Sequence, residues 1–218
     1  MLALIGIALL AIAARGGMPS LLVAWLGLDF LLLAAGHFWR LHRILGKRAD
    51  GRLSWWSWLI YLPLHVLNLV IWHGFRIASF EQPFNNITDD LVIGRRLLPR
   101  QCPGEFVNFV DLTAEFQEPR DLREQSGYMA IPILDASAIS PGELKTVLMR
   151  LRPGRTYIHY AQGHGRTGLF ALAFLLYVRK ASNVEEGLTL LKSKRGGIGL
   201  NQLQLNAIRA FQGTLQNN

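Results

Sequence analysis

Residues 157–170, "YIHYAQGHGRTGLF", decide the fold of this chain. They lead from an apolar, strand-like stretch through a glycine-rich turn into an apolar, helix-like run. At such a turn backbone N–H groups converge, and the helix N-terminus adds partial positive charge. Gly163 and Gly165 let the backbone curl inward, and Arg166 can offer two parallel N–H donors to a phosphate. The glycines alone fit an anion site or an ordinary turn with a surface arginine equally well.

Strand and helix patterns alternate around this turn. Valine, isoleucine and phenylalanine mark the strands, while apolar residues at helical spacing mark the helices. Such an alternation predicts a layered α/β domain with a largely parallel sheet. The predicted strands are residues 91–98, 106–113, 128–135 and 155–160, and the predicted helices are 141–151, 168–180, 183–195 and 201–212.

The spacing within the turn resembles the signature loop of the cysteine-dependent protein tyrosine and dual-specificity phosphatases, H-C-x-x-G-x-x-R-[ST]-G. Every fixed position matches except the cysteine, where Tyr160 stands. "IPILDAS" resembles the general-acid loop of the family and places Asp135 at the acid position. "GLNQLQLNAI" resembles the segment that carries a glutamine near the active site, which here is Gln204. The resemblance covers residues 85–213.

This resemblance implies a dual-specificity-phosphatase-like domain, with a central, mostly parallel sheet flanked by helices. It implies that Arg166 holds phosphate oxygens, that Asp135 is the general acid, and that Thr167 assists a leaving thiolate. It implies neither a metal nor a cofactor. Tyr160 takes the nucleophile position, and His159 and Gln204 support the site. The implied phosphate-binding residues are Ala161, Gln162, Gly163, His164, Gly165 and Arg166.

Tyr160 changes the expected chemistry. A phenol has an ordinary pKa of about 10, against about 8.5 for a thiol, and its oxygen lies several ångströms further from the backbone. We therefore expect a pseudophosphatase that binds a phosphoanion or a partner. The alternatives are an active phosphoric monoester hydrolase, by phosphocysteine chemistry if Tyr160 replaces a natural cysteine or by altered chemistry, and a purely structural protein with an empty loop. The expected ligand is a phosphorylated protein or a phospholipid headgroup.

The composition separates an N-terminal part, residues 1–76, from the domain at residues 77–218. The first part holds two acids and seven lysines or arginines, a net charge of +5, whereas the second holds 13 acids and 16 bases, a net of +3. Since no basic run is interleaved with aromatic residues, nucleic acid is not an expected partner. The one cysteine, Cys102, excludes an internal disulfide and precedes a Pro-Gly turn.

Three apolar runs in residues 1–76 predict two to three membrane helices. They are residues 1–14, residues 21–39 with Asp29 as the one charge, and residues 55–75, which suit either a span or an interfacial helix. A cleaved signal peptide is the alternative for the first run, but no basic residue precedes it. Arg40, Arg43, Lys47, Arg48 and Arg52 favour a cytoplasmic loop. We expect a protein of the bacterial inner membrane with a cytoplasmic domain.

Overall fold

The computed structural model describes residues 1–17 and 19–216, which form two compact units. The N-terminal unit comprises Met1–Arg48, Arg52–Ser79 and Ala114–Gln117, and the remaining residues form the C-terminal unit. The sequence analysis placed a single boundary after residue 76. The segment Ala114–Gln117 belongs to the N-terminal unit, although the residues before and after it belong to the other unit. The reason is that the buried Lys47 ammonium donates to the Phe116 carbonyl and that the Phe116 ring lies 6.0 Å from the ring of Trp72.

Four helices build the N-terminal unit, and the first two form a tight antiparallel hairpin. Gly6 and Gly27 lie where these helices meet. A Cβ on Gly6 would lie 2.8 Å from the Gly27 carbonyl oxygen, and one on Gly27 would lie 3.0 Å from that of Gly6. Only glycine permits this approach of the two backbones. The helices are α1 (Leu2–Ala13), α2 (Ser20–Phe38), α3 (Trp55–Ile60) and α4 (Leu62–Ala78).

Asp29 and Pro63 explain how the later helices of this unit are arranged. The buried Asp29 carboxylate accepts a hydrogen bond, 3.3 Å long, from the Leu64 N–H in the first turn of α4, so it satisfies one of the donors that a helix start leaves open. Pro63 occupies that same first turn, where a missing N–H costs nothing. The third apolar run is therefore two helices, α3 and α4. Among the described residues, Ser20–Phe38 is the one helix long and apolar enough to cross a membrane.

A five-stranded sheet forms the centre of the C-terminal unit, in the order β1-β2-β5-β3-β4. The β1–β2 pair is antiparallel, and the other three pairs are parallel. The predicted α/β class is confirmed, with a mixed sheet. The sequence analysis missed β1, because three residues after a proline carry no strand pattern. The strands are β1 (Phe84–Asn86), β2 (Leu91–Arg95), β3 (Asn108–Thr113), β4 (Tyr128–Ile133) and β5 (Thr156–Tyr160).

The helices that flank this sheet bury one central helix, α7 (Gly165–Tyr177), whose residues 166–176 are all buried. Its apolar side chains pack on Val110 and Ile158 of the sheet and on Phe211. Helix α7 begins three residues earlier than predicted, because its first turn is the glycine-rich segment itself. The helices are α5 (Arg120–Arg123), α6 (Pro141–Met149), α7 (Gly165–Tyr177), α8 (Val184–Lys194) and α9 (Gln202–Gln216).

Candidate functional site

The loop between β5 and α7 has the geometry of an anion cradle. Gly163 has φ +77°, and a Cβ there would lie 2.4 Å from the Gly94 carbonyl on β2, so only glycine fits. His164 caps α7, and its carbonyl accepts the first helical bond from Gly168 N–H at 2.6 Å. The first N–H groups of α7 thus face the loop without intrahelical partners, and the helix dipole adds positive charge there.

Arg195 holds this loop from outside. Its guanidinium donates to the carbonyl of Gly163 at 2.9 Å and to that of Gln162 at 3.0 Å. Because the carbonyl and the N–H of one peptide plane point in opposite directions, the N–H groups of Gly163 and His164 point away from Arg195. These two donors therefore add to those of α7.

Arg166 is the cation of the site, and it is 2 % exposed. One Nη atom donates to the Ile133 carbonyl at 2.7 Å, and the other lies 3.4 Å from the Asp135 carboxylate. A buried guanidinium needs such partners, because an isolated charge in the interior is costly. The fold thus brings together Arg166 and Asp135, which are separated by 31 positions in the sequence.

Tyr160 ends β5, and its half-buried ring lies against Arg166. The guanidinium carbon is 4.1 Å from the ring centroid, within the range of a cation–π contact. The same ring packs against the apolar core that surrounds α7. The Tyr160 ring therefore covers one face of the Arg166 guanidinium.

Asp135 lies in a turn that is held in one conformation by α9. Its side chain is 76 % exposed, and Ala136 after it has φ +56°. Asn201 Nδ2 donates to the Ala136 carbonyl at 2.8 Å, and Gln204 Nε2 donates to the Ser137 carbonyl at 3.2 Å. The Gln204 amide thus contacts the turn that carries Asp135.

Thr167 and His159, the remaining predicted residues, are both buried. Thr167 lies in the first turn of α7, and among the described residues its hydroxyl has no hydrogen-bond partner. His159 stacks on Tyr157 with centroids 5.5 Å apart. Since side chains alternate along a strand, His159 lies on the sheet face opposite Tyr160. The structure therefore places His159 behind the site and outside the loop.

A buried polar cluster surrounds His159. Asp111, Glu118 and His159 could each offer one atom to a metal ion, with those atoms within 4.8 Å of one another. The Tyr128 hydroxyl donates to Asp111 at 2.6 Å, and Arg96 pairs with Glu118 at 3.1 Å. Burial and the Asp111 carboxylate raise the pKa of Tyr128, which keeps its donor proton. Arg96 thus offsets the charge of Glu118, and the Tyr128 hydroxyl satisfies one oxygen of Asp111 without neutralising it.

Two residues that hold the site were missed by the sequence analysis, namely Arg195 and Asn201. Arg195 lies 29 residues after Arg166 and was assigned only to the predicted amphipathic helix 183–195. Asn201 was seen as part of an amphipathic helix, although an asparagine at a helix start commonly hydrogen-bonds backbone groups. Sequence spacing carries no signal for either contact.

Solved structures with this fold are phosphatases of the dual-specificity and protein tyrosine type. Tk-PTP in its active form matches 60 % of this chain and 97 % of its own, at 25 % identity and a TM-score of 0.52. A variant of human DUSP28 matches 63 % and 99 %, at 15 % identity and a TM-score of 0.55. PTPMT1 in complex with PI(5)P matches 62 % and 98 %, at 14 % identity and a TM-score of 0.53. No protein-family model and no curated protein matches the sequence.

Proposed function

We propose that this chain is a membrane-anchored, phosphatase-like protein that binds a phosphoanion without forming a phosphocysteine, that is, a pseudophosphatase. The contact of Arg166 with the Tyr160 ring, 4.1 Å from centroid to guanidinium, is the observation that carries this proposal. It supports a phosphate cradle whose cation is present and whose nucleophile position holds an aromatic ring.

The binding half of this proposal rests on converging donors. The N–H groups of the loop and of the first turn of α7 supply fixed partial charges, and such donors need no rearrangement when an anion arrives. Arg166 supplies the full charge and a planar fork that matches two phosphate oxygens. The loop residues Ala161, Gln162, Gly163, His164 and Gly165 surround this point.

The position of Asp135 favours a second candidate, an active phosphoric monoester hydrolase. Its carboxylate lies 3.4 Å from Arg166, which is where an acid that protonates a leaving oxygen is needed. In this case water would attack phosphorus, or Tyr160 would accept the phosphoryl group. Slow hydrolysis by the natural chain that disappears in Asp135→Asn would establish this candidate in place of the first.

The ligand that we propose is a phosphorylated protein or a phospholipid headgroup. PTPMT1, which has the same fold, is described in complex with PI(5)P. A membrane-anchored phosphate cradle would encounter lipid headgroups at high local concentration, which supports the lipid. Phosphate is common to both ligands, so the loop alone does not choose between them.

The proposed membrane attachment rests on the exposed faces of the N-terminal helices. Leu21, Leu22 and Leu28 of α2 are 81 %, 62 % and 52 % exposed, and Val70 of α4 is 64 % exposed. Exposed apolar side chains on α2, which is long and apolar enough to cross a membrane, favour contact with lipid. The basic residues of the loop after α2 support attachment to the inner membrane with the C-terminal unit in the cytoplasm.

Tungstate, a phosphate mimic, tests the cradle. We expect the full chain in detergent to bind tungstate, and Arg166→Lys to weaken binding by about ten-fold or more, because a point charge replaces a bidentate fork. Calorimetric titration measures the affinity. Arg120→Lys is the matched control, since Arg120 forms an exposed pair with Glu124 within α5. Equal affinities of the natural chain and Arg166→Lys would contradict the cradle.

Substitutions on the exposed face of α2 test the membrane attachment. We expect Leu28→Arg combined with Leu32→Arg to move the protein from the membrane fraction to the soluble fraction or to aggregates. Each arginine at the centre of a spanning helix costs about 2.5–3.5 kcal/mol. Carbonate extraction and liposome flotation measure the distribution. Leu203→Arg, at an equally exposed leucine of α9, is the control and must leave it unchanged.

A further inference from the structure

A network of three side chains from separate segments lies behind the phosphate loop, on the side away from the proposed anion. Arg195, at the end of α8, is 3 % exposed. Besides the two loop carbonyls, its guanidinium donates to the Gln82 carbonyl and to Asn85 Oδ1, each at 2.9 Å. One buried cation therefore ties the loop to the segment that leads into β1.

Glu81 completes this network. Its carboxylate lies 2.6 Å from His164 Nε2 and 3.1 Å from an Nη atom of Arg195. Partial burial alone would raise the pKa of Glu81, but the hydrogen bond with His164 and the charge of Arg195 outweigh it, so the pKa lies below its ordinary value of 4.5. Arg95 and Tyr157 also face Arg195. The folded chain thus stabilises the ionised glutamate.

Gly197 leaves the space that this network needs. A Cβ at this position would lie 2.4 Å from His164 Nε2 and 2.7 Å from Glu81 Oε1. The Gly197 backbone also donates a hydrogen bond to Glu81. Any larger residue at position 197 would therefore push His164 and Glu81 apart. The pair that these two side chains form lies on the side of the loop away from the proposed anion.

We propose that Glu81, His164 and Arg195 are positioning residues for the anion site, an assignment that rests on the proposed function. Arg195 fixes two loop carbonyls outward, which fixes the following N–H groups inward. Glu81 holds both Arg195 and the loop residue His164, so its ionisation keeps the cradle formed before an anion arrives. Donors that are already in place bind an anion more tightly than donors that must first be ordered.

Hydrogen exchange tests this assignment without any anion. In Glu81→Gln and Arg195→Met we expect the amides of Arg96 and Gly168, which donate to the Ala161 and His164 carbonyls of the loop, to exchange about ten-fold faster than in the natural full chain in detergent, because hydrogen bonds to charged groups that hold the loop are lost. Arg195→Lys retains the charge and should restore part of the protection. Glu186→Gln is the matched control, since Glu186 also accepts backbone hydrogen bonds, at the start of α8, yet lies outside the network.

Tungstate affinity and pH give the second readout. We expect Glu81→Gln to weaken tungstate binding by about ten-fold. The melting temperature of Glu81→Gln should be no lower than that of Glu186→Gln. Because the pKa of Glu81 is lowered in the fold, its contribution to holding the loop is complete above pH 4.5 and is lost as the pH falls through the pKa of the folded chain. Below that pH the hydrogen-exchange protection of the natural chain should approach that of Glu81→Gln. Unchanged protection in both network variants overturns the assignment. Absent tungstate binding with faster exchange instead overturns only the proposed function.

Discussion

Tyr160→Cys is expected to convert this chain into a phosphatase, with hydrolysis of p-nitrophenyl phosphate rising by about three orders of magnitude or more, the scale on which nucleophiles contribute in concerted sites. The substitution supplies a thiolate at the end of β5, where the loop N–H groups and the start of α7 lower the pKa of a thiol. It also removes the ring that covers one face of the Arg166 guanidinium. Steady-state rates with 4-nitrophenol release measure the gain.

Two further variants decide why the rate rises. Tyr160→Phe keeps the ring and adds no nucleophile, so it should remain as inactive as the natural chain. Tyr160→Cys combined with Asp135→Asn should lose about 10²-fold of the gained rate with phenyl phosphate, whose leaving group needs a proton, and less with p-nitrophenyl phosphate. A cysteine variant that binds tungstate and hydrolyses neither ester would show that the loop is not arranged for in-line attack.

Gly163→Ala is expected to have the largest effect on stability. A non-glycine residue at φ +77° costs about 1–3 kcal/mol, and the new Cβ would also press on the Gly94 backbone, which cannot rotate away. For a unit of this size each kcal/mol lowers the melting temperature by about 2–4 °C. We therefore expect a decrease of several degrees together with loss of tungstate binding, measured by thermal unfolding and titration.

Gly165→Ala separates this effect from a general cost of adding a methyl group to the loop. Gly165 has no left-handed backbone, and a Cβ there would meet its nearest neighbours at 3.6 Å, an ordinary contact. Its melting temperature should match that of the natural chain. If Gly163→Ala is as stable as Gly165→Ala and still binds tungstate, then the close approach of the loop to β2 is not required.

Local patterns predicted the parts of this fold that depend on neighbours in the sequence. The run from β5 through the loop to α7 has its own strand, turn and helix signals. The expectation that Asp135 and Gln204 lie near this loop came from the family resemblance and not from local patterns. Long-range contacts carry no such signal. The fixing of the loop by Arg195 from α8, and of the Asp135 turn by Asn201, depends on the way separate helices pack.

The contact between Tyr160 and Arg166 could not be predicted from the sequence either, although these residues are only six positions apart. The sequence places a tyrosine at this position and carries no signal for the direction of its ring. The half-buried ring lies on the guanidinium and on the core around α7. Its direction follows from strand alternation, because Tyr160 shares the face of Ile158, which also packs into that core.

The assignment of separate chain segments to each unit has a consequence for proteolysis and truncation of this protein. The backbone passes from one unit to the other after Arg48, Gly51, Ser79, Thr113 and Gln117, so a single protease cleavage after Ser79 leaves two fragments that each lack part of a unit. A fragment that starts at Phe80 would keep the phosphate loop but would strip Phe116 and Gln117 of the hydrogen bonds that they receive from Lys47 and Leu53. Soluble fragments of this kind are therefore poor substitutes for the intact chain.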